Sequence, residues 1–299
     1  MRAVKRRKNP REREGLSAWL LASPVLLYIA CVLLVPCIWG VVISFTDKKI
    51  GMPAHFNGIE NYISLLLDKT FWSSLGVTLV FTCASVVMKV IFGTILALLL
   101  NSKIKCRAFF RSALVIPWTL SILIATLTWK WLLSDIGGAF SYILNKLGLV
   151  RKGFSFFTTS GRAMFAVVMV NVWKGTPFIA TSVLAGLQTI SPEMYEAAEI
   201  DGAKAWKKFW YITLPLVRST LLLATVMTTI WTINNFEGVW LLTGGGPAGS
   251  TQVLSIFTYL TAMSNNDIGR SMAISVLSMP FLIMLINTVA KRTFAEGDN

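Results

Sequence analysis

The chain has 299 residues, of which 55% are hydrophobic and only 14% are charged, and its mean hydropathy is +0.64. This composition excludes an ordinary soluble domain and indicates a protein built for a lipid bilayer. A net charge of +14 also occurs in nucleic-acid-binding proteins. Here, however, the basic residues are dispersed beside apolar runs and form no nucleic-acid-binding motif.

A membrane-spanning helix needs about 20 apolar residues, and six stretches of the sequence meet this requirement. They run roughly over residues 17–45, 73–100, 112–133, 163–190, 216–236 and 272–290. The predicted fold is an all-α integral membrane protein with six transmembrane helices and both ends on one side. The predicted parts are a basic tail at residues 1–15, a six-helix membrane domain at 16–292 and a short tail at 293–299.

The distribution of Lys and Arg predicts the orientation, because cytoplasmic segments carry an excess of both. With the N-terminus inside, the inner segments hold 17 of these residues and the outer segments hold 8. The sequence therefore predicts that both termini and the segment at residues 191–215 are cytoplasmic.

The segment 191–215, SPEMYEAAEIDGAKAWKKFWYITLP, is polar and amphipathic and lies between two apolar runs. Ser191 and Pro192 are typical of a helix start, and Glu193 suits the positive end of a helix. Gly202 predicts a turn before a second short helix. We expect Pro215 to break the chain direction before the next span. The second helix places Trp206, Phe209 and Trp210 opposite Lys204, Lys207 and Lys208.

Seven residues of this segment fit the EAA motif of bacterial ABC importer membrane subunits: Glu196, Ala197, Ala198, Gly202, Ile212, Leu214 and Pro215. With its flanks the segment resembles the sugar-importing branch, of the type found in maltose and glycerol-phosphate permeases, and the resemblance runs over nearly the whole chain. It implies a type I importer fold in which this segment is a cytoplasmic coupling helix docked on an ATPase subunit. The coupling residues that it implies are Glu193, Tyr195, Glu196, Ala197, Ala198, Asp201 and Gly202. The alternative is an ordinary amphipathic connector on the membrane surface.

The resemblance also implies the partners and the location of the chain. The partners are a second homologous membrane subunit, two ATPase subunits, an extracytoplasmic solute-binding protein and membrane lipid, without nucleic acid, and the location is the bacterial cytoplasmic membrane. The sequence contains no phosphate-binding Walker A pattern, no HExxH and no nucleophile paired with a base. We therefore expect no enzymatic activity and no cofactor in this chain, with ATP and Mg used by the partner ATPase.

Three lysines lie within the predicted spans, where a charge costs about 2.5 to 3.5 kcal/mol at the bilayer centre. We expect Lys130 to act as an interfacial anchor, while Lys89 serves either helix packing or a cavity face. Lys174 lies near the middle of the fourth span, where Gly175 and Pro177 predict a loosened or broken helix that lines a cavity. The alternative is a structural kink in which Lys174 binds a neighbouring carbonyl.

The resemblance to maltose-type permeases further implies the substrate contacts, which are Trp118, Asn171, Lys174, Gly175, Phe178, Trp231, Thr232 and Asn235. Aromatic faces stack on sugar C–H surfaces, and Asn and Thr bond hydroxyls. Two positions depart from the family pattern, since Thr232 is shorter than the family's amide and Lys174 replaces an apolar residue. The predicted cargo is a sugar or oligosaccharide. Lys174 leaves open an anionic solute such as a sugar phosphate, a uronate or glycerol phosphate.

Three glycines and a proline follow the fifth span, at Gly244, Gly245, Gly246 and Pro247. They predict an unusual backbone conformation. In related importers this loop reaches toward the binding protein or into the transport path, whereas the alternative is a plain turn.

Two other functions remain open on the sequence. An ion-coupled carrier or a passive channel is disfavoured, because the spans lack mid-membrane carboxylates apart from Glu237 at one end. A scaffold subunit whose partner holds the substrate is the second alternative.

Overall fold

The computed structural model describes residues 10–102, 105–150 and 154–294. Residues 1–9 of the predicted basic tail and 295–299 of the predicted C-terminal tail lie outside this description. In the described ranges the chain forms thirteen α-helices and one π-helical turn. The helices are α1 (Pro10–Ser44), α2 (Glu60–Leu66), α3 (Lys69–Asn101), α4 (Arg107–Thr119), α5 (Ile122–Leu132), α6 (Ala139–Lys146), α7 (Ser160–Leu187), α8 (Pro192–Ile200), α9 (Ala205–Lys208), α10 (Leu214–Ile233), α11 (Phe236–Thr243), α12 (Leu254–Met263) and α13 (Ile268–Phe294), and the π turn is Phe209–Thr213.

Five helical segments of the described chain are long and apolar enough to cross a membrane. They are Leu21–Ser44, Lys69–Asn101, Ser160–Leu187, Ala205–Ile233 and Ile268–Thr288. The pair α4 and α5 would supply a sixth crossing, although its two helices meet at an angle of 95°. The all-helical membrane fold is thus confirmed with five or six spans.

The third predicted span, residues 112–133, is not one straight helix. Leu120 and Ser121 are extended, with ψ of 142° and 140°, and separate α4 from α5. Pro117 lies in the last turn of α4 and has no N–H to continue the hydrogen-bond ladder. The break therefore falls in this span, and the expectation of a broken fourth span is wrong, since α7 runs without interruption through Lys174, Gly175 and Pro177.

Pro215 does not break the chain direction, contrary to expectation. The segment Ala205–Ile233 is one continuous span, and Pro215 stands in the first turn of α10. The π turn before it explains this tolerance, because the N–H of Leu214 bonds to the carbonyl of Phe209, five residues back. This wider turn changes the hydrogen-bond register just before the proline.

The bundle is organised around α7, which packs closely on α3. A Cβ at Gly93 of α3 would lie 2.6 Å from Cβ of Ile179, so glycine permits the approach of the two helices. One buried apolar cluster joins α3, α7 and α10 and includes Ala97, Val183 and Val217. These contacts hold α7 rigidly in the centre of the molecule.

α1 lies at the periphery of the bundle. It packs against α13, yet none of the residues in its most apolar stretch is buried within this chain. In contrast, the segment between α10 and α13 folds back into the bundle. Leu254 of α12 is buried, and its N–H donates to Oγ1 of Thr78 in α3 at 2.8 Å.

Candidate functional site

A cavity of about 440 Å³ lies between α3, α4, α5, α7, α10 and α11. Seven of the eight residues predicted to contact substrate line it: Trp118, Asn171, Lys174, Gly175, Phe178, Trp231 and Asn235. The structure therefore brings together predicted residues from three separate helices, α4, α7 and α10, and from the loop before α11. The remaining wall residues, which the sequence analysis did not assign to the substrate, are Lys89, Ile122, Thr228, Asn234, Phe236 and Glu237.

Three aromatic rings form one side of the cavity. The ring of Phe178 lies 4.7 Å from that of Trp231 and 6.1 Å from that of Trp118, measured between centroids. Trp118 and Trp231 are about half exposed within this chain. Such partly open aromatic surfaces can stack on the apolar faces of sugar rings.

Two asparagines contribute amides to the cavity wall, and their hydrogen bonds differ. The Oδ1 atom of Asn171 is buried and has no hydrogen-bond partner among the described residues. The Oδ1 atom of Asn235 instead accepts from the N–H of Gly238 at 2.9 Å and caps α11. Asn171 thus offers a free acceptor, whereas Asn235 is held by its helix cap.

Lys174 binds the carbonyls exposed where the third span breaks. Its Nζ donates to the carbonyl of Leu120 at 2.6 Å and makes a longer bond to that of Pro117 at 3.4 Å. The carbonyls at the end of a helix need such donors from elsewhere. Lys174 thus combines parts of both interpretations from the sequence: it lines the cavity, and it also pairs with carbonyls, although these carbonyls belong to the third span and not to its own helix.

Lys89 of α3 also lines the cavity and is 3% exposed. Its Nζ donates to Oγ1 of Thr232 at 2.9 Å, and Thr232 in turn donates to the carbonyl of Thr228 at 2.6 Å. A Cβ on Gly175 would lie 2.5 Å from Cε of Lys89. Thr232 therefore stands behind the wall and holds Lys89. The sequence analysis left open whether Lys89 serves helix packing or a cavity face. In the structure its side chain packs against Gly175 of α7 and also lines the cavity.

The segment 191–215 forms a helix, a turn and a second helix, as predicted. α8 begins at Pro192, although Ser191 makes no side-chain capping bond, and Gly202 takes a positive φ of 74° at the turn. The hydroxyl of Tyr195 lies 3.0 Å from Oγ1 of Thr213 and ties α8 to the base of the fifth span.

Five of the seven predicted coupling residues lie on the surface of this segment. Glu193, Glu196, Ala197, Asp201 and Gly202 are exposed, and Ala198 is partly buried. Lys208 donates to Glu199 at 2.5 Å across the turn. This hydrogen bond and the charge of Lys208 lower the pKa of Glu199.

The predicted glycine loop is a compact structure outside the cavity. Gly244 and Gly245 have positive φ values of 61° and 90°, which confirms the unusual backbone. Oγ1 of Thr251 closes the loop by donating to the carbonyl of Gly246 at 2.8 Å.

Lys130 lies away from the cavity. Its Nζ donates to the carbonyl of Leu241 in α11 at 2.9 Å. This contact joins α5 to α11.

An all-helical chain with five or six membrane spans and a polar and aromatic cavity has the architecture expected of a membrane transport protein. Residues 89–294 match the family described as "Binding-protein-dependent transport system inner membrane component". The chain belongs to this family and is the non-catalytic, multi-pass membrane subunit of a binding-protein-dependent ABC importer, whose ATPase is a separate chain.

Two curated relatives match almost end to end. The trehalose/maltose transport system permease protein MalF of Thermococcus litoralis is 35% identical over 278 residues, which cover 93% of this chain and 92% of that protein. The sulfoquinovosyl glycerol transport system permease protein SmoG of Agrobacterium fabrum is 33% identical over 287 residues, covering 95% and 92%.

Solved structures show the same fold. A chain of a bacterial ABC transporter involved in the import of the acidic polysaccharide alginate superposes with a TM-score of 0.79 at 20% identity, covering 97% of this chain and 100% of that one. In a second alginate transporter structure, in complex with a periplasmic protein bound to an alginate pentasaccharide, the TM-score is 0.77 at 22% identity, covering 93% and 94%.

Proposed function

We propose that this chain lines the path along which the importer moves a sugar or oligosaccharide into the cytoplasm by alternating access. The observation that carries the proposal is the cavity, in which three aromatic rings lie beside the amides of Asn171 and Asn235. Rings that stack and amides that both donate and accept suit a polyhydroxylated solute. The names of both relatives, a trehalose/maltose permease and a sulfoquinovosyl glycerol permease, support a carbohydrate cargo.

In the proposed topology the chain crosses the membrane six times, with α4 and α5 together forming the third crossing. Both termini and α8 face the cytoplasm. The excess of Lys and Arg on the side of α8 supports this orientation. The glycine loop at Gly244, Gly245, Gly246 and Pro247 then lies on the outer side and offers a compact contact for the solute-binding protein.

In the proposed assembly a second homologous membrane subunit, two ATPase subunits and an extracytoplasmic binding protein complete the importer. The coupling helix is α8, and its exposed residues are available to an ATPase groove. The EAA motif supports this role, together with the bond between Tyr195 and Thr213, which connects α8 to the fifth span.

The proposal is tested by uptake in cells that express the complete importer with Asn171→Ala or Asn235→Ser. Serine at position 235 retains a helix-capping oxygen but removes the amide. We expect the KM for uptake to rise about tenfold in each variant, because a hydrogen bond to the cargo is lost. Asn145→Ala in α6, outside the cavity, is the matched control and should transport normally. Unchanged uptake and cargo preference in both cavity variants would leave this chain only a scaffold role.

A further inference from the structure

The amino group of Lys89 is buried without a counter-charge. No carboxylate of the described residues lies within 4 Å of its Nζ, whose one hydrogen-bond partner there is the neutral hydroxyl of Thr232. A buried ammonium is normally compensated by an anion, because a single neutral acceptor does not replace its hydration. Lys89 therefore has two N–H groups available for a further partner.

The surroundings of Lys89 keep its amino group at the cavity wall. Because Thr232 donates its own proton to Thr228, it can only accept from Lys89. On the other side, Gly175 provides the space for the end of the lysine side chain, since a Cβ there would lie 2.5 Å from Cε and 2.9 Å from Nζ. At position 175, therefore, no side chain of α7 stands between the amino group of Lys89 and the cavity.

Lys174, the residue on which the sequence bases an anionic cargo, is engaged differently. It donates to the two carbonyls at the break of the third span and so serves the local fold. Glu237 supplies the one carboxylate of the cavity wall, and it forms no ion pair with either lysine. The described wall therefore carries two amino groups and one carboxylate, and Lys89 is the less satisfied of the two lysines.

We infer that Lys89 is a specificity-determining residue that selects a sugar bearing an anionic group, a carboxylate, sulfonate or phosphate, which pairs with its amino group in the cavity beside Gly175. This inference rests on the proposed transport of a sugar through the same cavity. It narrows the cargo from carbohydrates in general to acidic ones, and it assigns the recognition of charge to α3.

The experiment follows the removal of labelled sugars from the medium by cells expressing the complete importer. The medium contains an equimolar mixture of neutral and acidic sugars in matched pairs: galactobiose with digalacturonate, glucosylglycerol with sulfoquinovosylglycerol, and glucose with glucose 6-phosphate. Mass spectrometry distinguishes the members of each pair, and cells without the importer give the background. We expect the importer to deplete an acidic member and to spare its neutral counterpart.

The variants Lys89→Met and Lys89→Gln remove the charge, and the second retains a group that can bond Thr232. For the depleted acidic sugar we expect both to raise KM on the order of 30-fold or more, because the cargo's charge is left without its partner. Lys130→Met is the control, since Lys130 binds Leu241 outside the cavity.

The outcomes separate this inference from the proposed function. Depletion of neutral sugars as fast as their acidic partners would overturn the anionic cargo while leaving sugar import intact. Equal KM values for an acidic sugar in wild type and Lys89→Gln, at matched levels of membrane-inserted protein, would show that Lys89 does not recognise the anionic group. If no carbohydrate were depleted, both the inference and the proposed function would fall. The wild-type depletion decides the class of cargo even if a Lys89 variant does not insert.

Discussion

At the scale of single residues, Gly175 contributes to the cavity through the side chain that it lacks. The amino end of Lys89 occupies the space that a side chain at position 175 would fill. Both helices are fixed at this point by packing, so neither can retreat to admit extra atoms. The importance of this glycine thus comes from contact with a lysine on another helix.

We expect Gly175→Ala to displace Lys89 and to reduce uptake strongly, while the chain still inserts in the membrane. The Cβ would lie 2.5 Å from Cε of Lys89, and overpacking of this kind typically costs about 1 to 3 kcal/mol. The matched control is Gly161→Ala in the same helix, where a Cβ would meet nothing within 4 Å. Uptake at the wild-type rate in Gly175→Ala would contradict this expectation, because it would mean that the Lys89 side chain can move aside without loss of transport.

At the scale of elements, two polar contacts fix the proposed coupling segment, residues 191–215. The hydroxyl pair of Tyr195 and Thr213 connects α8 to the start of the fifth span, and Lys208 pairs with Glu199 across the turn. The hydrogen bond from Lys208 lowers the pKa of Glu199, so its carboxylate stays charged at pH values where an isolated glutamate begins to take up a proton. The contribution of this ion pair is therefore present near neutral pH and is lost only as the pH falls through that lowered pKa.

We expect Tyr195→Phe to uncouple the importer in part. Loss of the hydroxyl removes the bond to Thr213 but keeps the ring, so ATP hydrolysis by the complete complex should continue while uptake per ATP falls severalfold. Tyr211→Phe is the control, since the hydroxyl of Tyr211 is exposed and makes no hydrogen bond among the described residues. Parallel assays of uptake and ATPase activity in proteoliposomes give the ratio, and an unchanged ratio in Tyr195→Phe would contradict this role.

The sequence predicts elements better where the information is local. The EAA segment and its glycine turn follow from residues close together in the chain. The position of the broken span does not, because Pro117, Pro177 and Pro215 all occur in or near predicted spans, and of these three only Pro117 is followed by a break. The π turn preserves the helix at Pro215, whereas the chain breaks after Pro117, where Lys174 from another helix binds the freed carbonyls.

The cavity shows the same limit. Resemblance to a family supplied seven of its wall residues, but the role of Lys89 depends on a space left by Gly175, 86 positions away in the chain. A contact between two helices that depends on a missing side chain has no periodic pattern in a single sequence. It becomes visible only when the two helices are placed together.

At the scale of the whole molecule, the proposed orientation predicts which surfaces face each side of the membrane. Cys31, Cys37, Cys83 and Cys106 are all exposed in this chain, so labelling requires a cysteine-free background. In that background we expect a membrane-impermeant maleimide to label Tyr142→Cys of α6 from outside intact cells. Ile200→Cys of α8 should react only in inside-out vesicles stripped of the ATPase. Both side chains are well exposed, at 66% and 88%. Labelling of Ile200→Cys from outside would reverse the topology.

The uninterrupted course of α7 has a mechanical consequence. This helix of 28 residues is about 42 Å long, and four residues separate its end from the start of α8. Its middle carries Asn171, Lys174 and Phe178. Through Lys174 the helix also binds the carbonyls at the break between α4 and α5. In the proposed orientation, we expect a displacement applied at the α8 end of this helix to be transmitted along α7 to the cavity, and the bend of the third span beside Trp118 to move with it.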